Sequence, residues 1–103
     1  VLLHRWLHDH PNTETCRSGI SPHAPYSVRV GLFEAIADLA RKWQFPVQCH
    51  VAESMEELIL LAHQRGPFVE FLEELGVWDP NGLLRDHIAL FDCFDGVESF
   101  GAV

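Results

Sequence analysis

Basic residues are scarce in this sequence. Seven Lys and Arg stand against fifteen Asp and Glu, a formal net charge of −8. Nucleic acid is therefore not the expected partner, because phosphate contacts need a basic surface. Cysteine is scarce as well. Cys16, Cys49 and Cys93 are odd in number and show no C-x-x-C spacing, which indicates neither a disulfide framework nor a zinc ribbon. Such usage fits a reducing compartment, so the expected location is cytoplasmic. No apolar run approaches the roughly 20 residues of a membrane helix, and no signal-peptide pattern is present. An initiator Met is missing, and the first helix has no start signal. The chain therefore reads as a piece of something longer, with residues 1–103 forming one partial domain, incomplete at both ends.

What is present argues for a folded chain. The hydrophobic fraction is 48%, with three Trp and seven Phe, well outside the composition of disordered segments. Its acids are unevenly spread: residues 1–50 hold four against five Lys/Arg, and residues 51–103 hold eleven against two. Solvated helix faces account for that surplus.

Hydrophobic spacing divides the chain into elements. Leu2, Leu3, Trp6 and Leu7 share one face of a helix over residues 1–10, ended by Pro11 and Asn12. Residues 17–22 are a short extended candidate running into a loop stiffened by Pro22 and Pro25. Leu32, Phe33, Ile36, Leu39, Ala40 and Trp43 predict a helix over 30–43. Val47, Cys49 and Val51 alternate with Gln48, His50 and Ala52, the period of a strand. Ser54 to Glu57 spells a capping box opening a helix over 55–64. Gly66 stops that helix, and Pro67 starts another over 67–75. A last strand is expected at His87-Ile88-Ala89-Leu90-Phe91, and the tail 92–103 shows no clear period. Strands separated by helices imply βαβ units and a parallel sheet. Three strands cannot close a barrel, and a full (β/α)8 barrel needs roughly 250 residues.

Two stretches carry chemistry. If Val47, Cys49 and Val51 face the helices, His50 faces the other way, near the C-terminal end of its strand. Active sites of parallel barrels lie there, and imidazole is a common metal ligand. Glu53, three residues on, could take a proton from a metal-bound water. Taken alone, H-x-x-E is a common pattern, and Glu53 equally suits an acid placed before a helix N-terminus. His23, between Pro22 and Pro25, is either a rigidly held site group or an ordinary loop histidine. His4 and His8 have helical pair spacing without an acidic partner. His63 and His87 read as surface or packing residues. Trp6, Trp43 and Trp78 read as packing between helices and sheet.

Ser21-Pro22-His23-Ala24-Pro25-Tyr26-Ser27-Val28, then an amphipathic helix, then His50-Val51-Ala52-Glu53-Ser54 after a strand, resembles the metal-dependent amidohydrolase superfamily. The likeness is to the branch with cytosine, S-adenosylhomocysteine and guanine deaminases and the s-triazine chlorohydrolases. The resemblance implies an α/β fold, a fragment of a (β/α)8 TIM barrel spanning approximately strands 4 to 6 with their helices. It implies that His50 is a metal ligand, that Glu53 is the catalytic proton shuttle, and that His23 binds and polarises the substrate. One zinc or iron ion per complete site is implied, and no lysine occupies the region where binuclear relatives carry one. The implied reaction is attack of metal-bound hydroxide on an amidine-like or cyclic amide carbon of a small molecule. The expected activity is a hydrolase of non-peptide carbon–nitrogen bonds, most simply a deaminase. The fragment alone is expected to be inactive, and the full-length form could be a homo-oligomer.

Departures from the family pattern shape further expectations. The first-strand H-x-H and the eighth-strand aspartate fall outside the sequence, so His50 is the one implied metal ligand it contains. Setting Cys93 against the Cys of the family's sixth-strand Ala-His-Cys run puts Asp92 in place of the histidine. A non-catalytic barrel relative that binds a small molecule or partner is the alternative this raises. An independently folding small α/β domain is a third reading, opposed by exposed barrel edges. At the start of the 30–43 helix, the family's Ser-Pro-Glu is replaced by Arg29-Val30-Gly31. That loss predicts a frayed first turn over 29–32.

Overall fold

Periodicity of 3.6 residues produces most of what is seen in the computed structural model, which describes residues 2–103. Helix α1 runs over Leu2–Asp9. Its Leu3 and Leu7 pack on the main core, while Leu2 and Trp6 stay exposed. The expected four-residue apolar stripe is thus only half buried. The 17–22 candidate reduces to a single parallel bridge, Ile20 to Val47. Helix α2 covers Val30–Trp43, as its spacing predicts, and buries Phe33, Ile36, Ala37 and Ala40. Its N-cap Arg29 makes no side-chain capping bond. The Val30 amide instead donates to the carbonyl of Gly82 at 2.8 Å.

Strand β1 is Val47–Cys49, with Val47 and Cys49 buried and Gln48 exposed. Helix α3, Met55–His63, starts at Ser54, whose hydroxyl accepts from the Glu57 amide. Helix α4, Pro67–Glu74, starts after Gly66 with proline in its first turn. Gly66 sits at φ +101°, a conformation that suits glycine.

The expected strand over 87–91 is corrected by the structure. Helix α5 covers His87–Cys93. The reason is local. The Asp86 carboxylate caps the Ala89 amide at 2.8 Å, and Leu90 and Phe94, one turn apart, are both buried. A short apolar run fits a buried strand or a helix equally well by periodicity, and here the aspartate cap and the one-turn spacing decide. The third strand lies further on. Strand β2, Phe100–Ala102, pairs in parallel with β1, Cys49 opposite Ala102. Ile20 occupies the other edge of β1: the Gln48 amide donates to Ile20, whereas the Val47 amide donates to Ser99. Parallel strands joined through helices were the expected arrangement, and that part holds.

Two cores form. The larger joins α2, Phe45, Val47, Cys49, Leu84, Leu90 and Phe94. Fully burying each large apolar side chain there contributes about 1.5–3 kcal/mol. The smaller joins Leu60, Leu61, Val69 and Leu72 under Tyr26 and Trp78. Trp43 is exposed, with His4 edge-on to its ring, so only Trp78 of the three tryptophans packs as a core residue.

Candidate active site

The site is built at the C-terminal end of β1. Because Val47 and Cys49 turn into the core, strand alternation turns Gln48 and His50 to the opposite face, and both are exposed. The His50 amide donates to the His23 carbonyl at 3.0 Å. This bond stitches the proline-rich loop to the strand end. The His23 and His50 rings meet edge to face, 6.1 Å between centroids. Tyr26 lies edge-on to His23 at 5.5 Å. Its hydroxyl pKa is raised, first by burial, then by the nearby charge of Glu53. His23, Tyr26, His50 and Glu53 therefore gather in one place, although His23 and Glu53 are 30 residues apart in sequence.

Sequence reasoning missed four participants. Ser27 Oγ lies 2.7 Å from His23 Nδ1 and 3.3 Å from the Ala24 carbonyl. A hydroxyl has one proton to give. If it donates to Nδ1, His23 carries its own proton on Nε2, facing outward; if it donates to Ala24, Nε2 is left with a lone pair. The i, i+4 spacing of His23 and Ser27 was the available signal. Tyr26 was visible only as part of the motif. Glu57 is fully buried, and its Oε2 accepts from the Glu53 amide at 2.9 Å. The capping box thus forms only in part: Ser54 caps the Glu57 amide at 3.3 Å, but the glutamate reaches past Ser54 to Glu53. His87 stands behind Glu57, its Nε2 3.7 Å from Oε1.

Between His50 and Glu53 the backbone is bent. Ala52 adopts φ +54°, a left-handed conformation costing a non-glycine residue about 1 kcal/mol or more. Nearby, burial raises the Cys49 thiol to about 11, helped by the charges of Glu57 and Glu53.

Asp92 does not join the site. It lies on α5, on a surface cleft shared with Glu34 and Asp38. It therefore does not stand in for a sixth-strand histidine, because Asp92 and Cys93 both lie in a helix rather than at a strand end. The non-catalytic alternative loses the departure on which it rested. His4 and His8 lie on exposed α1. Among the described residues no group of three or more His, Cys, Asp or Glu is placed to hold a metal ion. A catalytic metal usually needs three protein ligands.

No protein-family model matches the chain. It is 32% identical over 93 residues to a 5-methylthioadenosine/S-adenosylhomocysteine deaminase of Syntrophobacter fumaroxidans, covering 88% of this chain and 20% of that protein. It is 37% identical over 76 residues to a 5'-deoxyadenosine deaminase of Methanopyrus kandleri, covering 72% of this chain and 16% of that protein. The chain thus spans about a fifth of the length of these relatives. Its fold matches Helicobacter pylori aminofutalosine deaminase, solved in complex with methylthio-coformycin, at a TM-score of 0.81 and 24% identity. That match covers 94% of this chain and 24% of that one. The motifs at His23 and at His50 to Glu53, the relatives and the fold together place this chain, as a partial match, in the amidohydrolase superfamily.

Proposed function

We propose that residues 1–103 form roughly the fourth to sixth strands, with their helices, of a (β/α)8 barrel whose whole protein hydrolytically deaminates a small molecule. The relatives act on adenosine derivatives by name, which makes a 6-aminopurine nucleoside the substrate class to try. One observation carries the reading: His23, Tyr26, His50 and Glu53 converge at the C-terminal end of β1. In parallel barrels catalytic groups sit at that end.

In the whole barrel His50 would be one ligand of a divalent metal, zinc or iron, with the others supplied by strands outside this chain. Such a metal supplies Lewis-acid activation of a water nucleophile. This chain's residues do the rest of the work assigned here. Glu53 moves protons between the attacking water, the ring nitrogen and the leaving amine. His23, with its Nε2 proton outward when Ser27 donates to Nδ1, gives a hydrogen bond to the reacting group. Tyr26, held protonated beside the Glu53 charge, packs edge-on against His23 and helps keep that ring in place.

The test is Glu53→Gln in the full-length protein, assayed for ammonia release from 5'-deoxyadenosine and 5'-methylthioadenosine. A loss of about 10²–10⁴-fold in kcat with metal content unchanged is expected for a lost general acid–base. Undiminished activity would refute the role of Glu53.

A further inference from the structure

Among the described residues Glu57 is the one buried charged residue, with no exposure at all. Acids almost never take such positions without partners. An ordinary capping-box glutamate lies near the surface and bonds the amide of its own N-cap residue. Here the carboxylate passes that residue. Its Oε2 accepts from the amide of Glu53 at 2.9 Å. Oε1 has no hydrogen-bond partner, and neither does His87 Nε2, which faces it at 3.7 Å; both atoms are buried. That gap exceeds hydrogen-bond range, yet a shift of well under 1 Å by the ring closes it. The loop being held is the bent one, with Ala52 in the left-handed region.

We propose that Glu57 is a positioning residue. Its carboxylate fixes the backbone of Glu53, and through His87 it ties that backbone to α5. Glu57 itself does not touch substrate. The inference rests on the reading of Glu53 as the proton carrier. It explains why a charge is retained where an apolar side chain would pack at lower cost. It also gives α5 a part in the site, although α5 carries none of the motif residues.

The experiment uses the full-length protein with Glu57→Ala, Glu57→Gln and His87→Ala. Glutamine keeps an oxygen for the Glu53 amide and presents its NH2 to His87. Glu57→Ala should lower kcat about 30-fold with KM within about threefold, the scale expected when a catalytic group is displaced by up to 1 Å. Glu57→Gln should stay within about threefold of the parent. The second readout is hydrogen exchange at the Glu53 amide. It should speed up at least about tenfold in Glu57→Ala, stay slow in Glu57→Gln, and speed up partly in His87→Ala, while the amides of β1 keep their protection. A variant whose exchange rises everywhere, with kcat per folded molecule intact, would overturn positioning in favour of packing alone. So would unchanged Glu53 exchange in Glu57→Ala. Loss of activity in Glu53→Gln with none in Glu57→Ala would overturn this inference and leave the proposed function standing. Rapid Glu53 exchange in Glu57→Ala, in a parent protein with no deaminase activity, would overturn the proposed function and keep only the backbone clasp.

Discussion

Replacing Ile88 and Leu90 by alanine, one at a time, distinguishes a helix over His87–Cys93 from a strand. In a strand, residues two apart share a face, so both would be buried or both exposed. In the helix they differ sharply: Leu90 is 0% exposed and Ile88 is 71% exposed. Leu90 packs in the main core beside Phe33 and Phe94. Its truncation removes that burial and leaves a cavity, a loss of about 2–5 kcal/mol. Ile88→Ala should change stability by no more than about 0.5 kcal/mol. A third substitution sharpens the contrast. Asp86→Ala removes the cap on Ala89 and should cost about 1 kcal/mol in a helix. In a strand that carboxylate has no cap to lose. The assay is guanidinium unfolding of the protein followed by tryptophan fluorescence, comparing midpoints at constant slope. Equal losses at Ile88 and Leu90, with none at Asp86, would refute the helix and restore a strand.

Other consequences follow from the same geometry. Ser27→Ala removes the hydroxyl 2.7 Å from His23 Nδ1. It should shift His23 toward a mixture of tautomers, read from ring-nitrogen NMR shifts, and lower kcat by about tenfold in the whole protein; an unchanged tautomer would show that Ser27 does not set it. Cys16 is exposed and Cys49 buried, with the Cys49 thiol raised to about 11. At pH 8 only about one Cys49 in a thousand is thiolate, so a thiol reagent should label Cys16 quickly and Cys49 only on unfolding. Because that pKa is raised from 9.0, Cys49 favours the fold below pH 9, and this contribution fades as pH climbs toward 11; a Cys49→Ser variant with the same alkaline loss would remove Cys49 as its cause. At the start of α2, Gly31 should exchange its amide rapidly, whereas Val30, bonded to Gly82 at 2.8 Å, should exchange slowly. Strong protection at Gly31 would show that the missing side-chain cap is replaced by other means.

The parts of the fold that were legible are those in which period and end signals agree. Helix α2 combines a continuous apolar stripe with a stop near Phe45-Pro46, and its bounds match the expected ones. Helices α3 and α4 are bounded by Ser54, Gly66 and Pro67, and each ends one residue earlier than expected. The 87–91 strand fails because five apolar or neutral residues in a row fit either period, and the cap from Asp86 to the Ala89 amide settles it for the helix. Strand β2 was missed for the opposite reason. Phe100, Gly101 and Ala102 have no alternation of their own. They are a strand because β1 offers a free edge and because Phe100 stacks on Phe94 at 4.4 Å. Both causes are tertiary, so neither is written in the local sequence.

The site was legible where chemistry and rigidity coincide, and illegible where burial decides. His50 could be turned away from the core by counting alternate positions, and His23 could be singled out because prolines hold its loop. Glu57 reads in the sequence as one more acid among the eleven of residues 51–103, an ordinary member of a solvated helix face. Only packing shows that it has no solvent to face. The carboxylate lies under the Glu53 amide, beside His87, a residue that local sequence gave no reason to connect with it. Surface acids lose little when replaced, so composition rightly assigned that set a bland role as a group. A single buried member breaks the assignment, because a buried charge must be held by specific donors or be neutralised. The donor found here is the backbone of the residue proposed to carry the proton. That makes Glu57, rather than any further exposed histidine, the residue whose substitution says most about how Glu53 is held.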